Sequence, residues 1–185
     1  MLRRTLIATA AILAGGAKDL WAQAPADPEN TLYMDLTYGR VVIQMLPDVA
    51  PKHVAQIKAL TRQGFYDGTP FHRVIEGFMA QGGDPTGTGG GGSKLPNLPP
   101  EFSQLHFVRG VCGMARAQDP GSANSQFFIM FAPAPSLDGK YTIWGRVVRG
   151  MEYVDQIKRG DGPNGTVLGQ PDKIVHMRVA ADVKS

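Results

Sequence analysis

The sequence predicts a mainly β fold, a closed antiparallel β-barrel with two capping α-helices. Three observations lead there. Short apolar runs recur along the chain, several alternate with polar neighbours at the two-residue period of a strand, and 23 Gly and 14 Pro cut it into short elements. At 185 residues the chain has the size of one domain with a single core. No repeat of roughly 20 to 50 residues and no internal linker divides it.

The elements follow in order. Leu32, Met34 and Leu36 alternate with mostly polar neighbours, Tyr38-Gly39 interrupts, and Val41, Ile43 and Met45 alternate again, which is the pattern of two strands in a hairpin. Pro51 suits a first helical turn, Val54, Ile57 and Leu60 recur in steps of three, and Gly64 closes an amphipathic helix. Met151, Val154 and Ile157 before Gly160 mark a second, shorter helix. Between the two helices, residues 71–75, 78–81, 111–115, 126–131 and 142–148 read as short strands, and a final strand fits residues 173–179. The glycine-rich stretch 87–92 lacks the Gly-Lys-Ser/Thr ending of a phosphate cradle and reads as a flexible surface loop.

Residues 1–26 have the layout of a secretory signal. Arg3 and Arg4 give a positive start, Leu6 to Ala17 form an apolar stretch, and small residues recur at Ala22, Ala24 and Ala26. The stretch ends at Lys18-Asp19, short of the roughly 20 apolar residues that a membrane span requires. Cleavage after Ala24 satisfies the A-x-A rule but leaves Pro25 just beyond the cut; cleavage after Ala26 avoids the proline. Arg3-Arg4 also loosely fits a twin-arginine signal. A signal peptide over 1–26 and a folded domain over 27–185 are expected, with export to a periplasm first and full secretion second. No stable membrane insertion is expected after leader removal.

Composition excludes several function classes. The formal charge is +3, but three of the 19 basic residues and one of the 16 acidic ones fall in the first 26, leaving 16 against 15, so no nucleic-acid partner is expected. Cys112 is the only cysteine and sits in an apolar run, where it reads as a small buried hydrophobe. His53, His72, His106 and His176 have no metal-ligand spacing, so no metal site is expected. No Gly-x-Ser-x-Gly or HExxH motif offers hydrolase chemistry.

Three stretches stand out chemically: Phe71-His72-Arg73-Val74-Ile75 with Gly77-Phe78-Met79-Ala80-Gln81-Gly82-Gly83-Asp84; Met114-Ala115-Arg116-Ala117; and Asn124-Ser125-Gln126-Phe127-Phe128-Ile129. Together with Phe65-Tyr66-Asp67-Gly68-Thr69 and Leu137-Asp138-Gly139-Lys140, they resemble the cyclophilin family of peptidyl-prolyl cis/trans isomerases, in particular its short bacterial exported members, from about Thr31 to Val183. Strand alternation places Gln126 with Phe128 on one face and Phe127 with Ile129 on the other; Met79 shares a face with Gln81, and Arg73 with Phe71 and Ile75. Cyclophilins bind substrate in a groove outside the barrel. The resemblance therefore implies that Arg73, Met79, Gln81, Gln126 and Phe128 face that groove.

The implied chemistry has a physical logic. The amide before proline is planar, with a rotation barrier of about 18–20 kcal/mol, and no bond to carbon breaks when it turns. Acid, base, nucleophile and cofactor are unnecessary; the site has to favour the twisted amide over both planar forms. Twisting restores the lone pair on the proline nitrogen, which Arg73 can then meet with an N–H. The resemblance implies catalytic roles for Arg73, Phe78, Gln81 and Phe128, and substrate contacts for Met79, Ala115, Arg116, Ala117, Gln126, Leu137 and Tyr141. The expected partners are unfolded or flexible proline-containing polypeptides, and the expected state is a monomer. Composition alone would make Arg73 a solvated strand residue and Phe78, Met79, Phe128 and Leu137 core.

The chain departs from the family at three places. Ser136 stands where many members have Trp, Tyr141 where others have His, and Arg116 where eukaryotic members usually have Asn. Two other readings compete: a proline-peptide binding module or holdase chaperone without turnover, and a small-ligand barrel, which would enclose its cavity.

Overall fold

The structure is a computed structural model that describes residues 27–184; the expected leader lies outside the described residues. Eight strands form one antiparallel sheet: β1 (Thr31–Leu36), β2 (Gly39–Met45), β3 (Arg73–Ile75), β4 (Met79–Gly82), β5 (Val111–Met114), β6 (Phe127–Met130), β7 (Ile143–Arg149) and β8 (His176–Val179). Their order is β3-β4-β6-β5-β7-β2-β1-β8. Two helices, α1 (Pro51–Arg62) and α2 (Met151–Val154), pack Val54, Ile57, Leu60 and Val154 into its inner core.

The sheet curls, with β3 and β8 at its ends and no strand ladder between them. The expected closed barrel is thus approached rather than completed by strand pairing. Backbone bonds just ahead of both strands draw the ends together, from Gly68 N–H to Ile174 O (2.7 Å) and from Phe71 N–H to Asp172 O (2.9 Å). The outer edge of β3 itself is taken by another segment: Val74 O accepts from Gly160 N–H at 2.8 Å, and His72 O from Val167 N–H at 3.0 Å.

Helix α1 ends as its sequence suggests. Gly64 has φ +68, and the bonds Gly64 N–H to Thr61 O and Phe65 N–H to Leu60 O satisfy the last carbonyls in the manner of a Schellman motif. Its N-terminus has no capping side chain of its own. Glu101 serves instead, accepting from Lys52 N–H (3.1 Å) and His53 N–H (3.0 Å). Helix α2 is a single turn, shorter than the Met151, Val154 and Ile157 spacing suggested, because the chain tightens to i→i−3 bonds from Gln156 and Ile157.

Register decides which side chains meet. Val74, Ala80, Ile129 and Cys112 form one row across β3, β4, β6 and β5, all buried in the inner core beside Phe127 and Trp144. The neighbouring row is Arg73, Gln81, Phe128 and Gly113, on the opposite face. That face carries a second apolar cluster of Met79, Phe107, Val111, Phe128, Met130, Ala134 and Ile143. Phe71 does not share the Arg73 face as alternation predicted. β3 begins only at Arg73, and Phe71 lies in the inner core.

Gly113 makes the outer row possible, since a Cβ there would stand 2.3 Å from Phe128 Cζ and 2.7 Å from Phe107 Cε1. The Gly113→Ala variant is expected to lose about 1–3 kcal/mol of stability in urea unfolding, with Phe128 displaced. His53 supplies a second prediction. Its Nδ1 lies 2.7 Å from the Glu101 carboxylate and its buried Nε2 has no partner among the described residues, so the ring is held neutral with its proton on Nδ1. Burial pushes its pKa below the ordinary 6.5, outweighing the Glu101 hydrogen bond; burial lowers that of His72 too, against the Asp84 charge. Below pH 6.5 the unfolded chain takes protons that the folded one refuses. The unfolding free energy should therefore decline as pH falls from about 6.5, by at most about 1.4 kcal/mol per pH unit for each histidine, and His53→Gln should flatten that slope.

Candidate active site

Arg73 opens β3, half-buried on the outer face, and its guanidinium is gripped from two sides. Nε donates to Asn164 O at 2.9 Å, and Nη1 donates to Gln81 Oε1 at 3.1 Å. The Gln81 amide donates in turn to Gln126 Oε1 (2.9 Å), and Gln126 Nε2 donates to the carbonyls of Gly89 (2.9 Å) and Gly91 (2.8 Å). No hydrogen bond engages Arg73 Nη2 among the described residues.

Beside the guanidinium lies a cavity of about 170 Å³ walled by Arg73, Phe78, Met79, Gln81, Ala115, Arg116, Phe128, Leu137 and Tyr141. Its apolar walls come from separate elements. Met79 and Phe128 belong to paired strands β4 and β6, Phe78 to the turn before β4, and Leu137 to a 3₁₀ turn at Pro135–Leu137. Phe128 is fixed between two rings: it stacks on Phe107 (5.7 Å, 27°) and meets Tyr141 edge-on (5.9 Å, 84°). Asp138 ties the Leu137 turn to the Phe107 segment, accepting from Phe107 N–H at 2.8 Å and pairing with His106 Nδ1 at 2.6 Å. These two contacts, the amide first, hold the Asp138 carboxyl below its ordinary pKa.

Arg116 stands on the other wall. Its Cζ lies 4.4 Å from the centre of the Tyr141 ring, and it donates to the carbonyls of Lys140, Ala117 and Gln118. The strip 115–117 separates the apolar cavity from a larger one of about 450 Å³, which is mostly polar and lined by Gly89–Gly92, Ser93, Asn97, Ser122, Asn124 and Gln126 among others. Both cavities are open and lie on the sheet face away from the inner core. That geometry does not fit an enclosed small-ligand barrel.

All eleven residues singled out from the sequence gather here. Nine line the apolar cavity; Ala117 and Gln126 line the polar one, and Gln81, Ala115 and Arg116 touch both. Of the departing positions, Tyr141 contributes a wall, whereas Ser136 is exposed and lines neither cavity. Sequence reasoning gave no role to four contributors, although Asp84 and Asn124 lie within the stretches it singled out. Phe107 backs the Phe128 ring, Asn164 O anchors Arg73, Asn124 fastens the loop through Ser93 and Leu95, and Asp84 organises residues 86–91. The loop 87–92, read as surface, is exposed in part but forms the polar cavity's wall. A signal for Asn164 was present in Pro163-Asn164-Gly165, a turn triplet; Asn164 is the one non-glycine residue with positive φ among those described.

Comparisons with known proteins agree with this architecture. Residues 31–179 match the family described as "Cyclophilin type peptidyl-prolyl cis-trans isomerase/CLD". A relative from Brucella suis biovar 1, named "Probable peptidyl-prolyl cis-trans isomerase", is 49% identical over 192 residues, covering 98% of each chain. Among solved structures, the cyclophilin AquaCyp293 from Hirschia baltica is similar with a TM-score of 0.75 and 32% identity, over 86% of this chain and 77% of that one. A cyclophilin type isomerase of Cryptosporidium parvum, solved in the presence of the dipeptide Ala-Pro, has a TM-score of 0.73 and 30% identity, over 80% and 98% of the two chains. By sequence along nearly its whole length and by the arrangement of its strands, this chain belongs to the cyclophilin family and is a peptidyl-prolyl cis-trans isomerase.

Proposed function

We propose that Arg73 is the catalytic donor and that the apolar cavity beside it receives the proline ring. The single observation that carries this is the state of the guanidinium: Nε and Nη1 are committed to Asn164 O and Gln81, while Nη2 has no hydrogen bond among the described residues, and Arg73 lines a cavity walled by Phe78, Met79, Phe128, Leu137 and Tyr141. An N–H aimed there gains little from the planar amide, whose nitrogen lone pair is delocalised. It gains a charge-assisted hydrogen bond from the twisted amide, worth about 1.5–3 kcal/mol. Accelerating an exchange of ~100 s to ~1 ms takes about 7 kcal/mol, so the rest comes from clamping the ring and from excluding water that would solvate the planar amide. The strip 115–117 and Gln81 would hold the chain flanking the proline.

The substrates on this reading are X-Pro bonds of unfolded or flexible polypeptides, met outside the cytoplasm after export, and the activity assists their folding. Support for export is the leader pattern of residues 1–26. Cleavage after either Ala24 or Ala26 would keep Asp27, whose side chain accepts from Glu29 N–H and caps the 3₁₀ turn Pro28–Asn30.

Arg73→Ala is expected to lower kcat/KM by about 10- to 150-fold in a protease-coupled proline isomerisation assay, with its unfolding midpoint near that of wild type. Equal rates for the two proteins would instead assign the groove to peptide holding without turnover. N-terminal sequencing of the exported form should begin at Pro25 or Asp27; a start at Met1 would refute the leader.

A further inference from the structure

We infer that Asp84 is a positioning residue for the isomerase reaction, acting on Arg73 through the glycine-rich loop and two glutamine side chains. The inference rests on the reading of Arg73 as donor. Asp84 follows β4, is fully buried, and lines neither cavity. Its carboxylate accepts four hydrogen bonds: Oδ1 from Thr86 N–H (2.8 Å) and the Thr86 hydroxyl (2.8 Å), Oδ2 from Gly89 N–H (2.7 Å) and Gly91 N–H (3.1 Å). Burial alone would raise its pKa, but these donors outweigh it, so the group is held as a carboxylate. A Cβ on Gly91 would fall 2.1 Å from Asp84 Oδ1, so only glycine admits this approach.

The consequence runs outward from the loop. Gly89 and Gly91, whose N–H groups Asp84 fixes, present their carbonyls to Gln126 Nε2. Two acceptors at one end settle the orientation of the Gln126 amide, so its oxygen faces Gln81. Gln81 Nε2 donates to that oxygen and turns its own oxygen to Arg73 Nη1. Carbonyls only accept and a guanidinium only donates, so the relay has one sense from end to end; flipping either glutamine would set like groups against each other. With Asn164 O fixing Nε from the other side, this relay determines where Nη2 points. Asp84 itself touches no substrate cavity, and its influence on turnover has this route to travel.

The test is a double-mutant cycle with Asp84→Asn and Gln126→Leu. Asparagine keeps the volume but turns an N–H₂ toward two donors, which loosens the loop. In an otherwise wild-type protein, Asp84→Asn should lower kcat about tenfold with KM changed less, since Arg73 is misplaced for a contact made in the transition state. In the Gln126→Leu protein, where the relay is already cut, it should change kcat little. In NMR spectra of Asp84→Asn, the Arg73 Nε–H and Gln81 side-chain amide resonances should move while the indole of Trp144, in the inner core, stays. Gly91→Ala, which displaces the loop with the carboxylate intact, should behave the same way and decides the matter if Asp84→Asn fails to fold. Wild-type kcat in these variants, or the same loss in both backgrounds, would overturn the inference. Arg73→Ala, assayed alongside, keeps the two readings apart: if it turns over at the wild-type rate, the donor assignment itself fails; if it is slow while Asp84→Asn and Gly91→Ala match wild type, the positioning role alone fails.

Discussion

The antiparallel register of β3, β4, β6 and β5 is the constraint on which the molecule depends. It sets Arg73, Gln81, Phe128 and Gly113 side by side on one face and Val74, Ala80, Ile129 and Cys112 on the other. A slip of one residue between β3 and β4 would turn the guanidinium into the inner core and Val74 out of it, and a slip in either of the other pairings would part Phe128 or Gly113 from the row. Because the inner row is buried against Phe127 and Trp144, the packing that stabilises the fold also holds the outer face in place. Stability and site geometry are specified by the same strands, read on alternate sides.

The outer face combines two kinds of surface. Phe128, held between Phe107 and Tyr141, gives a rigid apolar wall with little conformational freedom left to lose on binding. Across the Ala115–Ala117 strip, the wall is backbone: glycine carbonyls and amides set by side chains from behind. The first surface suits a ring, the second an extended chain. Arg116 joins them, since the guanidinium that braces Tyr141 also holds the carbonyls of Ala117 and Gln118.

Much of this was legible in the sequence, for reasons that differ by residue. Strands β1 and β2 announced themselves because one face is buried and the period of two is then imposed by water. Phe71 misled because alternation was extended past the point where β3 begins; the chain there bends toward Asp172 and takes Phe71 into the core. Helix α2 was overextended because spacing by threes fits a 3₁₀ turn as well as an α-helix. The eleven candidate residues that gather at the cavities came from the family's motifs, and Asp84 and Asn124 stood in those motifs without a role, because they, like Asn164 and Phe107, act through contacts made only after folding. Asn164 works with a carbonyl, which every residue has, and residue identity does not record what a carbonyl will meet.

The covering of the β3 edge has a bearing on how the sheet meets other polypeptides. An unfinished strand at a sheet margin invites extended polypeptides to add themselves by backbone pairing, and under the proposed function, with flexible chains as substrates, such capture would foul the enzyme. Gly160 and Val167 have already claimed the carbonyls on that flank. On that reading, a visiting chain would find this margin closed to adhesive zipping, and the cleft beside Arg73 would grip one ring at a time and let it go.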